Sequence, residues 1–356
     1  MRILLMGGTG LISTPMTLDL RERGHDITVC NRGKRAPELP TGVRQILADR
    51  TDHTAFEMAM RALEPFDVVI DMICYKPADA ESLSRAFAGR TAHMIVCSTI
   101  DVFAKPASHY PITEQEPHRP PPWDYAENKA LLEAILRQAH QRGDFPVTIL
   151  RPAHTYNDGG ALLHSLGGKT TYLDRLRKGK PIVVHGDGSS LWASCRAEDV
   201  ARAFVEAAGS SVTFGKSYNV TGEEWMPWNR IHETVAAALD APAPTLVHIP
   251  TDLLARVARR AFISQVNFQF NNTFDNAAAR QDLNFRCTIP FAAGARRTVN
   301  WLAAHGRIEN SDEDPYDDRI LAAWERRSKS MAHVLQGINS YGLSRQLGQS
   351  ERVSAG

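Results

Sequence analysis

Apolar residues fall into short, solid runs through the first half of the chain. RILLM (2–6), DITVC (26–30), VRQIL (43–47), DVVIDMI (67–73), HMIVCS (93–98) and PVTILR (146–151) each hold a compact block of aliphatic residues. Between these runs the pattern changes. TPMTLDLRERG, HTAFEMAMRAL, DAESLSRAFAG and NKALLEAILRQAHQ place apolar residues three and four apart, with charges between them. Solid runs predict strands buried on both faces, and the 3.6-residue period predicts amphipathic helices. Their alternation predicts βαβ units, and so an α/β fold with a doubly wound parallel sheet. Gly24 and Gly143 stand where two helices should stop.

After Arg151 the rhythm is lost. A glycine-rich loop (NDGGALLHSLGG) leads to a basic helix, then to PIVVHGDGSS, which reads as strand and turn. AEDVARAFVEAA predicts a helix, and KSYNVTG predicts a strand that returns to the first sheet. From about Trp228 the pattern is helical with short strands, and beyond His305 a polar, acidic stretch (ENSDEDP) precedes a helix.

Composition narrows the classes. Lys plus Arg (41) nearly equals Asp plus Glu (40), so no global charge points to nucleic acid or a membrane surface. The basic cluster Arg175, Arg177, Lys178 and Lys180 reads as a solvated face. No apolar run is long enough to span a bilayer, and MRILLMGG reads as a first strand, not a leader. Five scattered cysteines, with no CxxC and no Cys/His cluster, predict reduced thiols in a cytoplasmic protein without a zinc site.

The first strand runs into Met6-Gly7-Gly8-Thr9-Gly10-Leu11-Ile12-Ser13. Glycine permits a tight turn and close backbone approach to a pyrophosphate, and the helix that follows offers free N–H groups at Leu11 and Ile12 and a positive dipole end. Ser13 takes the third small-residue position and lets the helix lie near the sheet. Strand, glycine turn and helix in this order predict a dinucleotide site in a Rossmann domain. The second strand ends in Cys30-Asn31-Arg32, with Lys34 and Arg35 following. The acid that receives an NAD ribose is absent, and Asn31-Arg32 lean toward the 2′-phosphate of NADP, leaving the cofactor open as NAD(P). Asp49 and Arg50, after the third strand, are both expected on the cofactor, with Asp49 placed to accept from the adenine amine. It is equally eligible as a helix cap, as is Asp52.

DYAENKA (124–130) follows the stiff loop PHRPPPW and sets Tyr125 four residues before Lys129, on one helix face. A nearby ammonium favours phenolate, so this spacing predicts a tyrosine able to act as a base.

With the phosphate loop, ILADRTD, IVCSTIDVFA, YAENK and LRPAHTY in this order, residues 1–301 resemble the extended short-chain dehydrogenase/reductases, within them the NAD-dependent epimerase/dehydratase group. NRG and YNVTGEEWMPW are also similar to a subgroup that includes chloroplast stem-loop RNA-binding proteins. The resemblance implies a triad of Thr99, Tyr125 and Lys129, with Ser98 beside it and Lys129 on the nicotinamide ribose. It puts Asp101 in the position of the dehydratases' proton-abstracting acid, and Ile100 where their leaving-group acid stands. It places Pro152 near the nicotinamide, with His154 and Tyr156 able to donate to substrate oxygens. Where the family often meets a nucleotide diphosphate with Arg this chain has Trp192, and the Ala-Gly turn after the fourth strand is replaced by Ile73-Cys74-Tyr75, so that Trp192 and Tyr75 are candidate substrate contacts.

The expectation is therefore a dinucleotide-binding domain over residues 1–160, joined by 192–228. A smaller substrate lobe takes 161–191 and 229–345, and a tail takes 346–356. The expected activity is epimerisation of a sugar or nucleotide-sugar through a transient ketone, by a homodimer. A keto-sugar reductase or a dehydratase is the alternative, with a nucleoside as a further possible substrate. Binding of RNA is the alternative of another class, and the near-zero net charge opposes it.

Overall fold

The computed structural model describes residues 1–33 and 39–347, with side chains to residue 333; Lys34 and Arg35 lie outside the described residues. The first half runs β1 (Arg2–Met6), α1 (Ser13–Glu22), β2 (Asp26–Asn31), β3 (Arg44–Leu47), α2 (His53–Arg61), β4 (Phe66–Asp71), α3 (Pro77–Phe87), β5 (Thr91–Cys97), α4 (Asp124–Arg142) and β6 (Val147–Pro152). The second half runs β7 (His154–Tyr156), α5 (Thr171–Arg177), β8 (Ile182–His185), β9 (Leu191–Trp192), β10 (Ser194–Arg196), α6 (Ala197–Ala207), β11 (Ser217–Val220), β12 (Met226–Pro227), α7 (Trp228–Ala238), β13 (Leu246–Ile249), α8 (Thr251–Val257), α9 (Ala277–Leu283), α10 (Phe291–Ala304) and α11 (Tyr316–Leu347).

Seven parallel strands form the central sheet in the order β11-β6-β5-β4-β1-β2-β3. Alternate residues of β1 enter opposite cores. Ile3 and Leu5 meet Met16 and Leu20 of α1 and Val200 and Phe204 of α6. Leu4 and Met6 meet Phe56, Leu83 and Leu132 of α2, α3 and α4. Burial on both faces is why these strands read as solid apolar runs. The strand order reverses between β1 and β4, and a doubly wound sheet opens a crevice at such a switch point, above the carboxyl ends of its strands. The strand KSYNVTG returns to the sheet as predicted, as β11 on β6.

The smaller lobe has a separate core in which Trp192, Trp228 and Phe268 pack with Tyr156, Tyr172 and Phe291. Its strands pair only two by two: β8 with β13, β9 with β12 and β7 with β10. Ala279, Leu283 and Phe285, from the stretch expected in that lobe, instead pack into the α1–α6 layer of the sheet domain. No described helix is long and apolar enough to cross a membrane.

Candidate active site

The glycine turn closes over β1. Gly7 has φ +78°, and a Cβ there would stand 2.5 Å from Ile73 Cγ2, so both conformation and space demand glycine. Ser13 does more than remain small. Its hydroxyl donates to Gly7 O (2.5 Å) and accepts from Gly10 N (2.7 Å), tying the turn to the first turn of α1. Leu11 and Ile12 fall at the helix start, where N–H groups have no intrahelical acceptor. At the end of β2 the Asn31 side-chain nitrogen is buried without a partner, at the position where a dinucleotide's ribose is read. A cavity of about 260 Å³ opens beside it, lined by Arg32, Thr51, Ile73, Tyr75 and Lys76 among others. The close-approach turn, the orphaned amide and this cationic cavity together fit an NAD(P) dinucleotide.

Arg50, expected on the cofactor, is engaged elsewhere. The Arg50 guanidinium is buried in an internal clamp with the Asp71 carboxylate and the Asp79 carbonyl (2.8 Å). This corrects its expected placement: Arg50 fixes the wall of the cavity by holding the ends of β4 and α3. Ser98 is 3% exposed and lies against the Glu133 carboxylate, turned toward α4. Asp49 accepts from the Thr51 N–H (2.9 Å) and hydroxyl (2.7 Å), while Asp52 caps α2 through Ala55 N (3.0 Å).

The triad positions converge above β4 and β5. Tyr125, Lys129 and Glu133 follow at four-residue intervals on α4, one stripe facing the sheet. Lys129 is 1% exposed and donates to Cys74 O (2.8 Å) and Cys97 O (2.6 Å), carbonyls just beyond β4 and at the end of β5. Its Nζ stands 5.0 Å from the Tyr75 ring centre and 5.8 Å from that of Tyr125. Glu133 receives both Arg151 Nε (2.9 Å) and an Arg151 terminal nitrogen (2.7 Å), a fully buried bidentate pair that clamps α4 to β6. The loop before α4 ends at Trp123, whose ring lies 5.0 Å from Tyr125. Pro152 ends β6 beside Val220 of β11.

Burial raises the Tyr125 phenol above its ordinary value; Cys97 and Asp101 add to this, and a hydrogen bond with Thr99 draws it partway back. The lowering predicted from the Tyr–Lys spacing is thus corrected. Two of the three Lys129 N–H groups are held by carbonyls, and burial of the phenol sets the direction of its shift.

After β5 the chain makes one tight turn over Ile100–Val102. Ile100 is 2% exposed, so an apolar side chain fills the place implied for a leaving-group acid. The Thr99 hydroxyl donates to Asp101 Oδ2 (3.2 Å) and accepts from Asp101 N (3.3 Å). Asn267 donates to Asp101 Oδ1 (2.8 Å), and Lys105 Nζ lies 3.9 Å from the same oxygen. Burial raises the Asp101 carboxyl, against the pull of Lys105, Thr99 and Asn267, and burial lowers Lys105 to about 8. Lys105, Asn267 and Asn272, which holds Lys105 through its Oδ1, were not singled out from the sequence. Three asparagines among the phenylalanines of VNFQFNNTF were the available signal.

The residues expected on the substrate do not gather in one place. Trp192 is 4% exposed and packs on Trp228 (5.4 Å) and Phe268 (4.8 Å), in the lobe core. Tyr156 is also core, beneath Phe291 (5.8 Å) and Arg196 (5.3 Å), and Arg196 itself is spent on Asp158 and Glu198. Both expectations are corrected, because aromatic packing in the smaller lobe claims these rings. His154 sits at the edge of the two regions, with Nδ1 2.8 Å from Ser194 Oγ, and burial lowers it to about 4, leaving it neutral. Tyr75 alone is open, at 49% exposure, between the cofactor cavity and Lys129.

A seven-stranded doubly wound sheet, a dinucleotide turn and a Thr–Tyr–Lys set above its strand ends define an extended short-chain dehydrogenase/reductase enzyme. The sequence pattern of the NAD dependent epimerase/dehydratase family matches residues 3–221, and the chain belongs to that family. The chain is 28% identical to 2′-dehydrokanamycin reductase of Streptomyces kanamyceticus over 275 residues, covering 77% of each chain. It is 26% identical to chloroplast stem-loop binding protein of 41 kDa b from Arabidopsis thaliana over 335 residues, covering 90% of this chain and 84% of that one. The fold matches UDP-glucose 4-epimerase of Thermotoga maritima with a TM-score of 0.68 at 18% identity, over 86% of this chain and 99% of the other.

Proposed function

We propose that this enzyme reduces the ketone of a sugar that carries no nucleotide, using NAD(P)H, with Tyr125 as the proton donor. When bound, the nicotinamide supplies the hydride. Tyr125 gives its proton to the oxygen that becomes the alcohol, and a phenol raised by burial is well suited to hold that proton until it is needed. Lys129 fixes the approach of α4 to the cofactor edge of β4 and β5. Thr99 stands beside Tyr125 as the second hydroxyl of the site.

The carrying observation is at Asp101. Its carboxylate is buried and receives Thr99 and Asn267, and its neighbour Ile100 is apolar. Among the described residues around Asp101, Tyr125 is then the acid–base group left for substrate, which suits hydride transfer at a single carbon and not abstraction of a second proton or expulsion of a hydroxyl. The absence of a nucleotide is supported by Trp192, which packs as core where the family resemblance implies a diphosphate-binding Arg. The similarity to a protein named for reduction of 2′-dehydrokanamycin points the same way. Arg32, on the cofactor cavity, supports NADPH over NADH.

A redox-neutral epimerase that turns its ketone over needs the same three residues, and membership of the epimerase/dehydratase family favours that second reading. A homodimer through α4 belongs to the proposal, since Leu131 is 56% exposed on that helix. So does a cytoplasmic setting, in which the free cysteines stay reduced. The test is a screen of keto-glycosides with NADPH and NADH. Oxidation of cofactor with one alcohol formed per turnover, lost in Tyr125→Phe, is expected. Turnover retained in Tyr125→Phe would overturn the assignment, and a steeply salt-dependent affinity for RNA without turnover would favour the stem-loop relative's role.

A further inference from the structure

Lys105 is an unusual side chain to find against a proposed active site. It is 2% exposed at the side chain, 3.9 Å from Asp101 Oδ1, and far from any role in binding the cofactor turn. The Asn272 amide oxygen accepts from its ammonium, and the Phe274 ring lies 5.9 Å below it. Asn272 and Phe274 come from the stretch that also sends Asn267 to Asp101, so this stretch locks both members of the pair. Burying an amine costs several kcal/mol unless something offsets it, and here the offset is one carboxylate and one amide.

The consequence lies one residue further on. A hydroxyl has a single proton. Thr99 shares it between Asp101 Oδ2 (3.2 Å) and the Tyr125 phenol oxygen, and its own oxygen already accepts Asp101 N–H. While Asp101 is ionised, that proton is drawn away from a substrate oxygen. If Asp101 is protonated, its carboxyl can donate to Thr99, and the Thr99 proton is released toward the developing alkoxide. Asp101 faces two titratable groups among the described residues: Lys105 from its own loop and Tyr125 from α4. The stretch 264–272 presents only the neutral Asn267 to it.

We propose that Lys105 is a positioning residue that sets, through the charge on Asp101, which way the Thr99 hydroxyl points during reduction. The catalytic part rests on the reductase reading; the link from Lys105 to Asp101 and Thr99 does not. Burial works against charge on both members of the pair, so the protonation of Asp101 is sensitive to loss of its cation. The rate of hydride transfer should fall as pH rises and Asp101 ionises.

The test follows Asp101 directly, by carbon-13 carboxyl titration of labelled protein, with Asp101→Asn for assignment. In Lys105→Met the Asp101 titration should move up by about one unit or more, the size expected when an opposite charge at this distance is removed. Thr99→Val should also move it up, and the two shifts should be non-additive in the double variant. Lys105→Arg, which keeps the charge, should titrate close to wild type and shows whether a shift comes from lost charge or from damaged packing. The kinetic arm uses phenanthrenequinone with NADPH: the falling limb of kcat against pH should move up with the carboxyl, with the KM for NADPH unchanged. An Asp101 titration that stays put in a folded Lys105→Met protein overturns the proposal, as does additivity with Thr99→Val. A wild-type protein that reduces no ketone would count against the reductase reading alone, since the carboxyl titrations stand apart from turnover.

Discussion

The two regions of this molecule solve burial in different ways. The sheet domain buries aliphatic side chains in two layers and keeps its buried charges in clamps near strand ends, Arg50 with Asp71 and Glu133 with Arg151. The candidate site then gathers where the strands end: the Gly7 turn after β1, Asn31 at the end of β2, Thr99 beyond β5. The smaller lobe has only two-stranded pairings and fills its interior with Trp192, Trp228, Tyr172 and Phe268, together with neutral histidines. His164 stacks on Tyr172 at 4.6 Å, and Tyr172 OH lies 2.8 Å from His232 Nδ1. One region sets its polar chemistry at the strand ends, whereas the other sets neutral histidines among aromatic rings. Residues that look reactive mean different things in each.

The comparison can be broken most severely at Tyr125. Tyr125→Phe should lower kcat by about two to four orders of magnitude while leaving the melting temperature unchanged, since only a hydroxyl at the strand-end edge is lost. Next in size is the clamp behind it. Glu133→Gln should cost about 3–5 kcal/mol in denaturant unfolding, because Arg151 is left buried and unpaired.

Acid should separate the two regions. Burial holds His164 and His232 down to about 3 and His185 down to about 4, each below its unfolded value. A depressed histidine contributes stability in full above the unfolded value near 6.5, and that contribution is lost as pH falls from there toward the folded value. Among the described residues the sheet domain holds His93, also near 4, with His154 near 4 at its border. Tryptophan fluorescence of a Trp123→Phe protein, which reports the remaining five tryptophans with Trp192 and Trp228 among them, should therefore change at a higher pH than the far-ultraviolet signal of the sheet. Coincident transitions would show that the lobe is not the weaker part. The smallest effect is at the cofactor edge, where Arg32→Ala should raise the KM for NADPH about tenfold relative to NADH, or about 1.4 kcal/mol. An equal change for both cofactors would remove Arg32 as the reader of a 2′-phosphate.

The sheet was legible because period and burial coincide in it: runs such as RILLM and HMIVCS have one structural solution, and the returning strand KSYNVTG has the same pattern. Tyr125 and Lys129 were legible because helical spacing is local. Trp192 and Tyr156 were misread because whether an aromatic packs or binds is decided by partners far along the chain, here Phe268 and Phe291. Arg50 was misread for the same reason, since its clamp needs Asp71 and Asp79 from two other elements. Lys105 and Asn267 were not read at all, because they meet their partners, Asn272 and Asp101, across 167 and 166 positions of sequence.

The most direct test is the state in which the protein holds its cofactor. Protein purified without added nucleotide should be denatured, and any released dinucleotide identified and its oxidation state determined by mass spectrometry. The reductase account predicts a largely empty protein that binds NADPH reversibly and consumes it with a keto-sugar. Oxidised cofactor near one per chain, retained through turnover, would contradict it and establish the redox-neutral epimerase.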